Sequence, residues 1–448
     1  MSFDYKQTDF ETDFAARPSK SVWKCWGKTR FLILFIALIC ITCTNANMIL
    51  MNFTVICMND VIVDQKTDAN FTHWLEKTSD VSLTFSAAAI GAIFGTVPAV
   101  TLIAKYGLRR VLTVYGALSA GGTLLMPLSV EYGLIPVLVS RLFQGIGASV
   151  LYSSIGAISE SWSSLAELGT YVAFLSSAFQ ISNIATMPTA GVLCESSLGW
   201  RSIYYLFGGI TVLVYTAFFL FYRDSPEHHR NVSDSELKKI RVGKRFESGI
   251  GGASSKDAKF SQVFRNLEVF EISVAIVGGS AAVICLNNYG PIYLNKVLGL
   301  NIRETGYSNA VPYFFAAVTR LILFALLPQI TMAAGFLIMS FTSTVIVAQC
   351  AYTISVVLAG LNVIGMVKCA QIVAKEHLSL IMAVISMSSW LAAFVLPVLI
   401  GLVCPTNSHA EWSRFYLAVA VFVVLTNVPF PFFARVSENR RVAPATKF

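Results

Sequence analysis

VSLTFSAAAIGAIFGTVPAVTLIAKYGLRRVLTVYGALSAGGTLLMPLS, residues 81–129, sets the reading of the whole chain. Two apolar runs flank a short turn, and the only charged residues of the stretch, Lys105, Arg109 and Arg110, lie in that turn. A bilayer's hydrocarbon core takes about 20 apolar residues of helix, and each run supplies that length. The stretch is a helical hairpin in lipid with a basic tip.

Outward from it the same pattern recurs. Apolar segments fall near 31–57, 81–104, 111–129, 133–158, 168–193 and 202–222, and again near 268–291, 308–327, 329–349, 353–373, 378–403 and 415–434. Six spans, a long polar loop and six more is the arrangement of a duplicated bundle. The expectation is an all-α membrane protein of two six-helix bundles. Its parts are a tail over 1–30, a first bundle over 31–222, a linker over 223–267, a second bundle over 268–434 and a tail over 435–448.

Composition agrees. Charged residues make up 13% of the chain and apolar ones 55%, whereas soluble domains carry about 25% charge. The net charge of +8 does not mark a nucleic-acid partner, because the cations sit in short segments between apolar runs and form no stripe interleaved with aromatics. That distribution is the positive-inside signature instead. The linker from Arg223 to Arg265 holds ten Lys/Arg against six Asp/Glu, while residues 59–80 hold two Lys against five acids. Both termini are therefore expected in the cytoplasm and 59–80 on the opposite side. Asn70, in Asn70-Phe71-Thr72, is then an accessible glycosylation sequon, and those at Asn52 and Asn231 are silent. The polar first 29 residues and the long run after them predict a first span that is its own insertion signal. The linker reads as flexible, with a short interfacial helix over 234–246.

Nine cysteines show no metal-ligand spacing, and no metal is expected. Cys40, Cys43, Cys57, Cys285, Cys350 and Cys369 fall in apolar segments, where Cys is a small hydrophobe. Cys194 and Cys404 fall at span ends on one side, which makes a disulfide between them conceivable. No Walker-type loop or HExxH motif is present, and His73, His228, His229, His377 and His409 all fall outside the spans, so an enzyme is not expected.

Polar groups inside hydrocarbon are costly and mark function. Arg141, in Val139-Ser140-Arg141-Leu142-Phe143-Gln144-Gly145-Ile146-Gly147, lies about two turns into the fourth span, with snorkelling to the interface as its bland alternative. In the first span Asn45 and Asn52, seven residues apart, share a face, and Asn47 lies between them. Such a face lines a cavity or pairs with neighbouring helices. Asn288 sits in the Asn287-Asn288-Tyr289-Gly290-Pro291 run that ends the seventh span. Lys368 is a second cation, in the tenth span. Glu160, near the end of the fourth, reads as an interfacial charge.

Ala104-Lys105-Tyr106-Gly107-Leu108-Arg109-Arg110 resembles the signature loop of the major facilitator superfamily, and Gly199-Trp200-Arg201 resembles the opening of that superfamily's sixth helix. Arg141 to Gly145, Trp162 with Ala166-Glu167, and Asn288 to Leu298 followed by Ala310-Val311-Pro312-Tyr313 are similar to its anion/cation symporter family. That family includes sodium–phosphate, vesicular glutamate and sialic-acid transporters. The resemblance implies a monomeric secondary transporter of a small organic or inorganic anion, working by alternating access in the plasma membrane or an intracellular vesicle membrane. It implies no cofactor beyond a coupling Na+ or H+. Arg141 would bind the anion, with Asn47, Tyr152, Asn288 and Lys368 as cavity partners. Lys105, Gly107, Arg109 and Arg110 would form the bundle-gating loop.

The departures from the family matter too. Its signature-loop Asp is Ala104 here, its first-helix Arg is Leu50, its second-helix His is Phe85, and its seventh-helix Arg falls near Gly279. The fourth-helix acids fall at Ala148 and Gln144. Glutamate or sialate specificity does not transfer, and the alternative is a transport-inactive protein of the same fold serving as a receptor or scaffold. Finally, Arg320 is the only charge in the 45 residues 308–352, which leaves almost nothing for a loop between the eighth and ninth helices. They are expected truncated or merged, with a turn at Leu327-Pro328-Gln329.

Overall fold

The computed structural model describes residues 28–65, 73–164, 166–241, 267–319, 327–342, 344–357 and 378–427, and the described residues contain helices and no strand. In chain order the helices are α1 (Thr29–Thr54), α2 (Asn59–Gln65), α3 (Thr78–Tyr106), α4 (Leu108–Leu124), α5 (Met126–Tyr132), α6 (Leu134–Ala148), α7 (Leu151–Trp162), α8 (Leu168–Ser176), α9 (Ala178–Glu195) and α10 (Gly199–Phe221). Then follow α11 (Asp234–Arg241), α12 (Leu267–Ile292), α13 (Ile302–Thr319), α14 (Leu327–Phe341), α15 (Val345–Val357), α16 (Leu378–Val403) and α17 (His409–Asn427). Among the described residues, five helices are long and apolar enough to cross a membrane singly, with α6 and α7 counted as one, and α4 with α5, bent by 46°, makes a sixth if the pair is one span. The bend falls beside Pro127, which enters α5 in its first turn, where its missing N–H costs nothing.

Glycine decides how closely the first bundle packs. A Cβ on Gly145 of α6 would collide with the carbonyl oxygen of Ala88 on α3, and one on Gly91 of α3 with that of Leu142. Backbone meets backbone there, as small-residue faces allow in membranes. Gly107 has φ +82 in the turn between α3 and α4, a conformation that favours glycine. Its missing side chain also leaves room for the Asp224 carboxylate.

The molecule has two distinguishable ends. At the linker end, residues 223–241 form a bracket on the first bundle. Leu237 and Ile240 of α11 are buried, and the Arg30 N–H at the start of α1 donates to Glu236 Oε1 at 2.8 Å. Thr29 Oγ1 donates to the Asn231 carbonyl at 2.8 Å, and the Arg30 guanidinium grips Glu167 at 2.6 Å. Burial pushes the Glu167 carboxyl up, but the Arg30 guanidinium and the Ser164 hydroxyl outweigh it and hold it below the usual carboxylate range. The described part of the linker is thus docked, not a free tether. The expected helix over 234–246 is α11, ending at Arg241; residues 242–266 lie outside the described residues.

The opposite end carries the disulfide. It joins Cys57 to Cys194, with Cα atoms 5.9 Å apart, and Cys404 is free and buried. The conceivable Cys194–Cys404 pairing does not form, and Cys57, placed by hydropathy inside the first span, is the partner instead. Hydropathy carried the first span to residue 57, but α1 stops at Thr54, so Cys57 lies in the turn beyond it, beside the end of α9. At the same end Asp60 accepts from Trp200 Nε1 at 2.9 Å and Arg201 Nη1 at 2.7 Å, and Arg201 also pairs with Glu131 at 3.2 Å. The Gly-Trp-Arg motif thereby ties α2, α5 and α10 together. Cys57→Ser is expected to free the Cys194 thiol, read as one added alkylation site in denatured, unreduced protein. The lost cross-link should cost about 2–4 kcal/mol, seen as a lower thermal midpoint.

Within 308–352 the described residues belong to α13, α14 and the start of α15. α13 and α14 are separate, and Pro328 lies in the first turn of α14, where a proline is tolerated. Leu327-Pro328-Gln329, the expected turn, opens α14 as helix, and residues 320–326 lie outside the described residues. The expected ninth span, 329–349, ends early at Phe341, and α15 begins at Val345 rather than near 353. The cause is Thr342 to Thr344: Thr342 Oγ1 accepts the Thr344 N–H at 3.3 Å, one of the local Ser/Thr bonds that compete with helix. The Thr342 carbonyl sits 2.9 Å from His409 Nε2 at the start of α17, and Ser340 Oγ donates to the Ser413 carbonyl at 2.8 Å. α14 therefore finishes at the same end as α17 starts, the disulfide end.

Candidate functional site

Arg141 is the eighth residue of α6 and is 1% exposed. The close approach of α3 and α6 at Gly91 and Gly145 brings backbone oxygens within its reach. Nε donates to the Thr84 carbonyl of α3 at 3.2 Å, and Nη1 to the Met48 carbonyl of α1 at 2.8 Å and to Gln144 Oε1 at 2.8 Å. Among the described residues Arg141 has no carboxylate partner. Neutral dipoles solvate the guanidinium, and nothing cancels its charge.

Gln144 extends the arrangement. Its Nε2 donates to Thr123 Oγ1 of α4 at 3.0 Å, and Thr123 Oγ1 donates to the Ser119 carbonyl at 2.8 Å. Asn47 of α1 donates to Ser119 Oγ at 3.2 Å and to Thr211 Oγ1 of α10 at 3.0 Å. Arg141 and Asn47 thus belong to one polar network inside the first bundle, with Asn47 pairing between helices. The sequence reading noted Gln144 only as the place of a family acid. Its position three residues after Arg141, one turn along the same face, was the available signal.

Asn288 takes another role. Asn52 Nδ2 of α1 donates to Asn288 Oδ1 at 3.0 Å and to the Asn287 carbonyl at 3.3 Å, across the seam between the bundles. Tyr289 OH donates to Ser82 Oγ at 2.9 Å, and the Tyr289 ring meets Phe85 edge-on at 5.2 Å. Nearer the disulfide end the seam is joined by Asn407 Nδ2 to Thr78 Oγ1 at 2.9 Å and by the Arg303 N–H to Glu195 Oε1 at 3.1 Å. α9 and α13 touch there through Gly191 and Gly306. The described structure is closed at this end.

The other expected site residues are dispersed. Tyr152 lies on α7, eleven residues beyond Arg141, stacked on Phe179 of α9 at 5.1 Å. Lys368 and Asn70 lie outside the described residues. In the signature loop, the Arg109 N–H donates to Asp224 Oδ1 at 2.8 Å, and its Nε to the Phe219 carbonyl at 2.7 Å. Lys105 stacks over Tyr106 at 5.2 Å. Asp224, just past α10, holds the Gly107–Arg109 turn within the first bundle, where the sequence has Ala104 in place of the family's own acid.

Comparison with known proteins agrees with this architecture. Residues 31–367 match the model of the Major Facilitator Superfamily. The chain is 23% identical to sialin of Homo sapiens over 361 residues, 74% of this chain and 71% of that protein. It is 24% identical to sodium-dependent phosphate transport protein 1 of Homo sapiens over 433 residues, 84% of this chain and 90% of that protein. Among solved structures, the xylose transporter XylE from E. coli, in a partially occluded inward open conformation, superposes with a TM-score of 0.66 at 16% identity, covering 94% of this chain and 99% of that one. An inward-facing bacterial homologue of the human lysosomal transporter Spinster gives 0.67 at 12% identity, covering 93% and 99%. The chain, a multipass membrane protein with this fold and these motifs, belongs to the Major Facilitator Superfamily.

Proposed function

We propose that the protein is a secondary transporter of a small organic or inorganic anion, moved by alternating access of its two bundles. The observation that carries this reading is Arg141, a buried guanidinium held by three neutral oxygens and by no carboxylate among the described residues. A cation kept in low dielectric without a protein counter-charge is strongly destabilised unless a ligand supplies the negative charge. The names of sialin and of sodium-dependent phosphate transport protein 1 support an anionic cargo. Asn52, Asn288, Ser82 and Tyr289 would form the gate that closes the disulfide end.

The test is uptake into proteoliposomes from a panel of inorganic phosphate, monocarboxylates and sugar acids, with and without a Na+ or H+ gradient. Arg141-dependent accumulation of any one of them supports the reading. Specific binding without movement would favour the receptor alternative.

On this reading the disulfide end faces the lumen or the exterior, the termini and linker face the cytoplasm, and the protein acts as a monomer. The disulfide at one end, and the Lys/Arg excess of the linker sequence 223–265 that leaves the other, support that orientation. Glycosidase treatment is expected to shift the mobility of the parent and of Asn231→Gln, but not of Asn70→Gln. A shift that vanishes only with Asn231→Gln would invert the topology.

A further inference from the structure

We propose that this protein is an anion exchanger, whose loaded form reorients much faster than its empty form because Arg141 has no neutralising group among the described residues. The inference rests on Arg141 being the anion-binding cation, as argued above. Its starting point is where the carboxylates are. Among the described residues every Asp and Glu lies outside the long helices or within five residues of a helix end: Asp80, Glu304 and Glu411 in first turns, Glu268 and Glu271 at the start of α12, Glu131, Glu160 and Glu195 in last turns. Of the described histidines, His73, His228 and His229 lie outside the long helices and His409 at a helix start. Glu160, on the same span as Arg141, is 19 residues away, roughly 28 Å along a helix rising 1.5 Å per residue. At the depth of Arg141 the described residues offer no carboxylate to pair with it and no carboxylate or imidazole to carry a proton beside the substrate.

Gln144 is the group that fixes this condition. Its Oε1 stands 2.8 Å from Arg141 Nη1, where a carboxylate oxygen would neutralise the guanidinium, but an amide supplies only a dipole. The Met48 and Thr84 carbonyls supply dipoles too. In the open states of the cycle water would share the charge of Arg141, which is 1% exposed in the structure described. Passing to the other state requires both mouths to close, and an uncompensated charge is then sealed in low dielectric. A bound anion cancels that charge, so the loaded carrier crosses and the empty one stalls. Exchange of one anion for another follows.

Purified full-length protein in proteoliposomes tests this, with labelled inorganic phosphate and labelled glucuronate as probes and the membrane potential clamped by K+ and valinomycin. Vesicles are loaded either with the same unlabelled anion or with anion-poor buffer. Uptake into loaded vesicles is expected to be at least about tenfold faster, one factor of ten in rate being 1.36 kcal/mol of barrier. Gln144→Glu, which puts a carboxylate where Oε1 stands, is expected to bring the two rates together and to raise the half-saturating probe concentration. Equal wild-type rates in loaded and empty vesicles, both abolished by Arg141→Ala, would overturn exchange and leave anion transport standing. A preference for loaded vesicles that Gln144→Glu leaves untouched would overturn the unpaired Arg141 as its cause. No Arg141-dependent uptake of either probe in either arm would sink the anion reading itself.

Discussion

Arg141→Ala is expected to abolish anion uptake, lowering it by about a hundredfold or more, while the protein still reaches the membrane folded. Removing one member of a buried, hydrogen-bonded charge pair costs about 3 kcal/mol or more, and here the other member is the substrate. The fold should tolerate the change because, among the described residues, Arg141 bonds to two main-chain carbonyls and Gln144 alone. Truncation therefore strands no buried charge, and Gln144 keeps Thr123. Arg141→Lys should restore little. A lysine ammonium is a compact point charge and cannot reach two helices and an anion with a planar fork. Uptake per folded molecule, normalised by a monodisperse gel-filtration peak, is the measurement. Parent-level uptake in Arg141→Ala would remove Arg141 from the site.

Gly145→Val is expected to have the largest effect on folding. Its Cβ would land on the Ala88 carbonyl oxygen, and neither backbone can move aside, since Gly91 is pressed in turn against the Leu142 carbonyl. Separating α3 from α6 also withdraws the Thr84 carbonyl from Arg141 Nε, now at 3.2 Å. Overpacking typically costs about 1–3 kcal/mol, and a rigid backbone contact belongs in the upper tail of single-site effects, above about 4 kcal/mol. The measurement is the yield of monodisperse protein in detergent and its thermal midpoint. Gly121→Ala is the control, because a Cβ there meets nothing within 4 Å and the change should be silent. A Gly145→Val protein that melts with the parent would show that α3 and α6 are not held backbone to backbone.

The helices were legible because hydrocarbon imposes a simple rule: about 20 apolar residues, with charges left at the ends. That rule read from 81–129 gave the spans, the two bundles and the isolated position of Arg141. It misplaced what is set within a turn or two. α1 ends three residues before hydropathy does, which moved Cys57 from a lipid-facing helix into the disulfide. Thr342 to Thr344 break a run that looks continuously apolar, because hydroxyls that bond their own backbone barely register as polar.

What the sequence alone determined, then, is the membrane-spanning, helical architecture and the absence of any acid between Glu131 and Glu160, around its one fourth-span arginine. Both are properties of composition along the chain. Which groups meet Arg141, that Asn47 pairs inward while Asn288 pairs across the seam with Asn52, and that Asp224 holds the Gly107 turn were decided only by tertiary structure. These contacts join residues dozens to hundreds of positions apart. They depend on how closely the helices approach, and that closeness is set by the glycines at their crossings.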